Sequence, residues 1–176
     1  MKTPYEVLHR SKSPISEEIR QVLRQLQKEY AKTVEEKNLH INLKFFGELS
    51  ESDVERIKKV MDSVKAEKFS AQLKCISAFP NKEYIRVLWI GVESPELEKI
   101  KEELDLKLEE KGFNKERDYI PHVTLARIKK KPDPGIKDIF TDKDFGMIDI
   151  TEISLMSSTL APEGPEYSVI HSVKLE

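Results

Sequence analysis

Two segments of the sequence, Leu39–Leu43 and Pro121–Leu125, repeat one short pattern 82 residues apart. In each, a histidine lies beside apolar residues and a small polar residue follows two positions later: His40 with Asn42, and His122 with Thr124. Side chains two positions apart in a β-strand share a face. Each segment therefore predicts a strand whose polar face carries the histidine and whose other face enters the core. The repeat predicts an internal duplication, with two similar lobes that each contribute one histidine.

Three amphipathic helices are predicted from apolar residues at three- and four-residue intervals. The first runs from Ser16 to about Tyr30, the second begins at Ser50, and the third begins at the cap Ser94 and ends at Gly112. Six segments have strand character: Leu39–Phe46, Phe69–Ser77, Tyr84–Val92, His122–Ile128, Ile148–Leu155 and Tyr167–Val173. Turn formers join the second to the third and the fifth to the sixth, which predicts antiparallel hairpins. Hairpin sheets with helices set to one side indicate an α+β fold, and 176 residues are enough for one domain, residues 1–176.

Composition excludes several classes of protein. Cys75 is the only cysteine, so an internal disulfide and a multi-cysteine zinc site are excluded. The formal net charge is -2, which gives no global positive field for a long nucleic-acid backbone. The longest apolar run, Val87–Val92, is far shorter than a membrane-spanning helix. The first residues lack an apolar signal core, and a cytoplasmic location and a monomeric state are expected.

The two histidines suit phosphate-ester chemistry. Opening a cyclic phosphodiester with water needs a base for the water and an acid for the departing sugar oxygen, and histidine performs both roles near neutral pH. Asn42 and Thr124 share the histidine faces and are predicted to donate hydrogen bonds to the non-bridging phosphate oxygens. Alternation also places Lys44 on this face, where it is predicted to add positive charge.

These residues carry a resemblance to a known family. His40–Glu48 (HINLKFFGE) and His122–Arg127 (HVTLAR) resemble the paired HxTx motifs of the two-histidine phosphoesterase superfamily, and specifically its RNA 2′,3′-cyclic phosphodiesterases, also called 2′-5′ RNA ligases. The resemblance extends to Phe79-Pro80, to Arg86–Val92 and to Ser158–Tyr167. It implies two antiparallel sheets related by duplication around a central cleft, with helices on the outer faces. It also implies hydrolysis of RNA 2′,3′-cyclic phosphate ends to 2′-phosphomonoesters, with reverse 2′-5′ ligation, and neither a metal nor a cofactor.

Carried over by position, the resemblance assigns His40 as the proton donor to the leaving 3′-oxygen and His122 as the proton acceptor from water. Arg127 matches an arginine that follows the family's second motif, but strand alternation turns it away from His122 unless the strand ends or bulges there. Asn42 stands where the family has threonine, which replaces a hydroxyl with an amide. The family's apolar first strand is also replaced by a polar stretch, in which Tyr5–His9 is predicted as a poorer strand.

Several alternatives stay open at this point. A two-histidine metal site lacks a third ligand at suitable spacing. The run Lys129–Lys131 either guides a polyanion toward the cleft or is a solvated loop, and the sequence favours neither interpretation over the other. Trp89 is expected in the core, and Phe46 is the better candidate to line the cleft, although packing is its expected role. Other functions are hydrolysis of a different small cyclic phosphate and non-catalytic binding of phosphorylated RNA ends.

Overall fold

The computed structural model describes residues 3–10 and 15–176. In chain order its elements are β1 (Pro4–His9), α1 (Glu17–Gln25), β2 (Ala31–Thr33), a 3₁₀ turn (Glu36–Asn38), β3 (Ile41–Glu48), α2 (Glu51–Ser63), β4 (Phe69–Pro80), β5 (Ile85–Glu93), α3 (Pro95–Glu109), β6 (His122–Ile128), a 3₁₀ helix (Pro134–Ile139), β7 (Thr141–Ile150), β8 (Glu152–Ala161) and β9 (Gly164–Lys174).

The three predicted helices are confirmed, and their first turns are capped by serine. Ser16 and Ser94 each accept a backbone N–H through the hydroxyl, and Ser50 forms a reciprocal capping box with Asp53. The first helix is shorter than predicted. It ends at Gln25, and the chain continues into β2, which pairs with β6.

The strands form one antiparallel sheet in the order β7-β4-β5-β6-β3-β1-β8-β9, with β2 beside β6. The α+β class is therefore confirmed, as are the predicted β4–β5 and β8–β9 hairpins. The order is symmetrical about the junction between β3 and β6, with four strands of this order on each side of it. A single residue pair, Ile41 with Val123, bridges this junction. Two four-stranded halves joined so narrowly are consistent with the expected two lobes.

One strand prediction needs correction, and another is confirmed. The segment Ile148–Leu155, predicted as one strand, contains the end of β7 and the start of β8, which separate at Thr151. The polar segment Tyr5–His9 does form a strand, and β1 lies between β3 and β8. The remainder of the unusual N-terminal sequence, at positions 1–2 and 11–14, lies outside the described residues.

The core lies between the helices and one face of the sheet. The apolar residues of the two histidine segments, Ile41, Leu43, Val123 and Leu125, are buried there with the apolar stripes of all three helices. Alternation therefore sends the histidines to the opposite face. No helix among residues 3–10 and 15–176 is long and apolar enough to cross a membrane.

Candidate active site

The bridge between the two halves of the sheet brings the two motifs together. Ile41 pairs antiparallel with Val123, so the residues on either side of this pair also lie opposite each other. His40 is thus across from Thr124, and Asn42 is across from His122. Directly opposed side chains on one face are typically about 5 Å apart at Cβ. The four polar residues of the two motifs therefore form one partly buried cluster on the face away from the helices.

Both imidazoles are held in the same way. The Nδ1 atom of His40 lies 2.7 Å from the carbonyl oxygen of Asn38, and that of His122 lies 2.7 Å from the carbonyl oxygen of Ile120. A carbonyl oxygen only accepts, so Nδ1–H is the donor in each ring. In the neutral form this leaves Nε2 without a proton and ready to accept one. The same contact to the residue two positions earlier fixes the reactive nitrogen in both halves.

The surroundings of His122 favour its neutral form. Its ring packs edge-on against Phe79, with centroids 4.9 Å apart, and lies 5.8 Å from the ring of Trp89. Burial lowers the pKa of His122, the hydrogen bond to the Ile120 carbonyl opposes this, and the positive charges of His40 and Arg127 lower it further. A neutral imidazole with a free Nε2 is the form that accepts a proton. The influence of His40 also shows that the two rings share one electrostatic environment.

Trp89 is not part of the main core, contrary to prediction. It pairs with Thr124 across β5 and β6 and stacks on Phe79, with ring centroids 4.9 Å apart. The Trp89 side chain thus belongs to the aromatic wall of His122. Its indole Nε1 is buried without a hydrogen-bond partner in the part of the chain that the structure describes.

The surroundings of His40 are polar and include a carboxylate. Glu6 of β1 places Oε2 3.9 Å from His40 Nε2, and both side chains are largely buried. Tyr167 of β9 packs edge-on against the His40 ring at 5.6 Å. Burial, followed by the charge of Glu6, raises the pKa of Tyr167, so its hydroxyl is held in the protonated form. Glu6 was not identified from the sequence, where its only signal is one carboxylate within the short strand Tyr5–His9.

Asn42 is engaged on both its backbone and its side chain. Its Nδ2 donates a hydrogen bond to Glu6 Oε2, and its backbone oxygen accepts one from the Tyr119 hydroxyl at 2.9 Å. One of the two amide N–H donors predicted for phosphate is therefore used by Glu6. The second N–H is the one left for a ligand.

Lys44 does not share the open face, so its predicted position is wrong. Leu8 pairs with Asn42 and Val7 with Lys44, which leaves Leu43 as an extra residue in β3. This bulge turns Lys44 inward. Its ammonium group is almost fully buried, 3.4 Å from Asp105 Oδ1 and 2.6 Å from the Asn114 carbonyl oxygen.

An equivalent bulge in β6 has the opposite consequence for Arg127. Leu88 pairs with Ala126 and Trp89 with Thr124, so Leu125 is the extra residue. Leu125 and Ala126 are both fully buried, and Arg127 returns to the face of His122. The structure therefore contains the bulge that the sequence analysis required for Arg127 to share a face with His122. Its positive charge acts on both His122 and Tyr167.

The bulge at Leu43 in β3 also reverses the expected positions of Phe45 and Phe46. Phe45 occupies the place in β3 that Arg127 occupies in β6, and its side chain is 56% exposed. Phe46, the predicted cleft residue, is partly buried and packs edge-on against Phe113 at 5.6 Å. Its expected packing role is confirmed, and Phe45 is the exposed aromatic residue of the first motif.

The other two histidines lie elsewhere. The buried His9 contacts the Glu152 carbonyl oxygen through Nδ1 at 2.8 Å. His171 lies on the outer strand β9, where its Nε2 is 2.6 Å from Oδ1 of Asp62 in α2. Among residues 3–10 and 15–176, no three His, Cys, Asp or Glu side chains are grouped so that they could hold a metal ion.

Comparison with known proteins agrees with this geometry. Residues 12–175 match the family model described as the AKAP7 2′5′ RNA ligase-like domain. The RNA 2′,3′-cyclic phosphodiesterase of Methanocaldococcus jannaschii is 41% identical over 161 residues, which cover 89% of this chain and 91% of that protein. The protein of the same name from Methanothermobacter thermautotrophicus is 37% identical over 154 residues, with 82% of each chain covered.

Solved structures share the whole fold. TT0787 of Thermus thermophilus superposes with a TM-score of 0.77 at 25% identity, covering 99% of this chain and 98% of that one. Escherichia coli LigT complexed with 3′-AMP superposes with a TM-score of 0.80 at 21% identity, covering 99% of both chains. Because the family model matches residues 12–175 of the 176, this chain belongs to the 2′-5′ RNA ligase-like family of two-histidine phosphoesterases.

Proposed function

We propose that this protein is an RNA 2′,3′-cyclic phosphodiesterase that opens a terminal cyclic phosphate to a 2′-phosphomonoester. The observation that carries the proposal is the pair of imidazoles at the junction of β3 and β6, each with Nδ1 fixed by a backbone carbonyl and Nε2 left to exchange a proton. The relatives named above as RNA 2′,3′-cyclic phosphodiesterases support the substrate class. The proposal includes a cytoplasmic location and a monomeric state.

In the proposed reaction, His122 acts as the base and His40 as the acid. Nε2 of His122 takes a proton from water as the water oxygen attacks phosphorus. The bond from phosphorus to the 3′-oxygen breaks, and protonated His40 gives its proton to that oxygen. The phosphate stays on the 2′-oxygen. Burial of His122 against Phe79 and Trp89 supports its assignment as the base, because burial keeps the imidazole neutral.

Other side chains are positioned to bind the phosphate. Thr124 lies opposite His40 and offers a hydroxyl donor, and Arg127 offers a guanidinium group from the same face of β6. Donors of this kind stabilise charge that develops on non-bridging oxygens. Phe45 offers an exposed ring on which a terminal base can stack. With the 5′-hydroxyl of a second RNA in place of water, the same pair forms a 2′-5′ linkage: His122 takes the hydroxyl proton as its oxygen attacks phosphorus, the bond to the 3′-oxygen breaks, and His40 protonates that oxygen.

The test is a single-turnover assay with a short RNA that ends in 2′,3′-cyclic phosphate, in excess EDTA, with identification of the terminal product. We expect a 2′-phosphate. Replacement of either His40 or His122 by alanine should lower the rate about 10²- to 10⁴-fold, the usual contribution of an acid or base. His171→Ala, which removes a histidine of the outer strand, is the matched control and should leave the rate unchanged.

Three outcomes would contradict the proposal in whole or in part. Binding of the RNA end without any turnover would indicate a non-catalytic binder, a function that the engagement of Asn42 by Glu6 makes worth testing directly. Full activity in His40→Ala or His122→Ala would remove that residue from the mechanism. Turnover of a different small cyclic phosphate in preference to RNA would keep the chemistry and change the substrate.

A further inference from the structure

A cavity lies at the far end of the histidine strand β6. It has a volume of about 620 Å³. Its walls come from the β4–β5 loop, the start of β5, the end of β6 and the 3₁₀ helix Pro134–Ile139. The strand that carries His122, Thr124 and Arg127 therefore continues directly into this cavity, which we call the basic groove.

The basic groove carries unneutralised positive charge. Its lining contains six cationic residues and only two acidic ones, Glu83 and Asp133; the cations are Lys82, Arg86, Lys129, Lys130, Lys131 and Lys137. In the part of the chain that the structure describes, no ion pair involves any of the six. The whole chain has a net charge of -2, so the groove opposes the sign of the rest of the surface. Such a concentration attracts a polyanion locally.

The lysine run is anchored at its start. Ala31 of β2 pairs with Ile128, and the carbonyl oxygen of Tyr30 accepts the backbone N–H of Lys129 at 2.8 Å. Lys130 N–H lies 3.5 Å from the same oxygen. These contacts favour an ordered row of charges over a freely moving loop, the alternative that the sequence left open.

The basic groove also contains an aromatic surface. Tyr84 is 58% exposed, and the Arg86 guanidinium lies 5.1 Å from the centre of its ring. Cationic side chains interleaved with exposed rings are typical of surfaces that bind single-stranded nucleic acids, where charges follow the backbone and rings stack on bases. A groove that bound an acidic protein surface instead of a nucleic acid would not need an exposed ring for base stacking.

The distance from the catalytic pair suits an RNA strand. Lys129 lies seven positions after His122, which is about 23 Å at the rise of a β-strand. At about 3.4 Å per stacked nucleotide, this corresponds to about seven nucleotides, and to fewer if the strand is extended. Arg127 lies between the two sites on the same strand.

We propose that the basic groove binds the single-stranded RNA that precedes the terminal cyclic phosphate, through Lys129–Lys131, Arg86 and Tyr84. This inference rests on the proposed function and extends it from the end group to the chain behind it. The groove thus makes the enzyme prefer an oligonucleotide over a nucleoside 2′,3′-cyclic phosphate.

The test compares a nucleoside 2′,3′-cyclic phosphate with an RNA octamer that carries the same end, in wild type and in Lys129→Gln/Lys130→Gln/Lys131→Gln. If each lysine neutralises one phosphate, raising KCl from 50 to 200 mM weakens octamer binding about 18-fold through these contacts alone, from a slope of about −0.7 per contact. We expect the triple variant to lose this part of the salt dependence. Its kcat/KM should fall for the octamer and stay unchanged for the mononucleotide.

A matched control removes the same charge elsewhere. Lys59, Lys99 and Lys111 are exposed on the helix side of the protein, and their joint replacement by glutamine should leave both substrates unaffected. Fluorescence anisotropy with an octamer that ends in a 2′-phosphate measures binding without turnover. Equal octamer affinity and salt dependence in wild type and in the groove variant would overturn the groove proposal. Absence of turnover with both substrates would overturn the proposed function, while the anisotropy result would still decide the groove.

Discussion

The sequence predicts a substrate-binding role for Lys44, whereas the structure gives it a structural role in a buried ion-pair network. The variant Lys44→Met tests which role is correct. The structure surrounds its ammonium group with Asp105 at 3.4 Å and the Asn114 carbonyl at 2.6 Å, while Lys101 contacts Asp105 at 3.1 Å and Glu116 at 3.0 Å. Two lysines and two carboxylates form a neutral network. Methionine preserves most of the side-chain volume but leaves the network with one excess negative charge.

The expected cost follows from this arrangement. Removing one partner of a buried ion pair typically costs 3–5 kcal/mol. Asp105 keeps Lys101 as a partner, so we expect about 3 kcal/mol, the lower end of that range. With a urea dependence of about 2 kcal/mol per molar, the unfolding midpoint should fall by about 1.5 M. Circular dichroism during urea titration measures this change.

The comparison variant is Lys58→Met, which removes a lysine paired with Glu55 on the surface of α2. Its cost should stay below about 0.5 kcal/mol. At low temperature, where Lys44→Met remains folded, its KM for RNA 2′,3′-cyclic phosphate ends should equal that of wild type. An unchanged urea midpoint together with a raised KM would refute this reasoning and return Lys44 to the binding site.

Four further predictions concern the site and its support. Burial lowers the pKa of His122, so the unfolded chain binds more protons below about pH 6.5, and the free energy of unfolding should decrease as pH falls through this range. Phe79→Ala should raise the pKa of His122 in an NMR titration, and a pKa that stays put would show that the Phe79 ring does not cause the shift. Gly91→Ala should cost about 1–3 kcal/mol in urea unfolding, because its Cβ would lie 2.7 Å from a backbone oxygen of β4; an unchanged midpoint would contradict this. Tyr119→Phe removes the hydrogen bond to the Asn42 oxygen and should cost about 1 kcal/mol by the same measurement, whereas no loss would show that water replaces the hydroxyl.

The positions of His40 and His122 could be predicted because they depend on strand alternation and on a repeat, and both are properties of local sequence. The capped helices were accessible for the same reason. The face of the sheet on which Lys44 lies could not be predicted, because the bulge at Leu43 depends on the register with the neighbouring strand β1. Leu43 and Leu125 read as ordinary core residues in the sequence, and only pairing with β1 and β5 shows that each is an extra residue.

Long-range contacts account for the other differences. The partner of Asn42 is Glu6, which lies 36 positions earlier on a strand of unusual composition. The predicted strand Ile148–Leu155 (IDITEISL) mixes apolar and polar residues in nearly regular alternation, and nothing local shows that Thr151 separates two strands. The basic groove combines segments from the β4–β5 loop and the end of β6, which are distant in sequence, and its character appears only once they are adjacent.

The narrow junction at Ile41 and Val123 also bears on how this molecule can vary. A local two-fold relation passes through that pair, so the two imidazoles occupy equivalent places in their halves, and the proposed difference between acid and base comes from what each half packs around its own ring. Under the proposed mechanism, exchange of the aromatic neighbours on one side with the carboxylate on the other would exchange the acid and base roles without moving either imidazole. Under the same mechanism neither half alone holds both reacting groups, so the reaction requires both halves of the polypeptide.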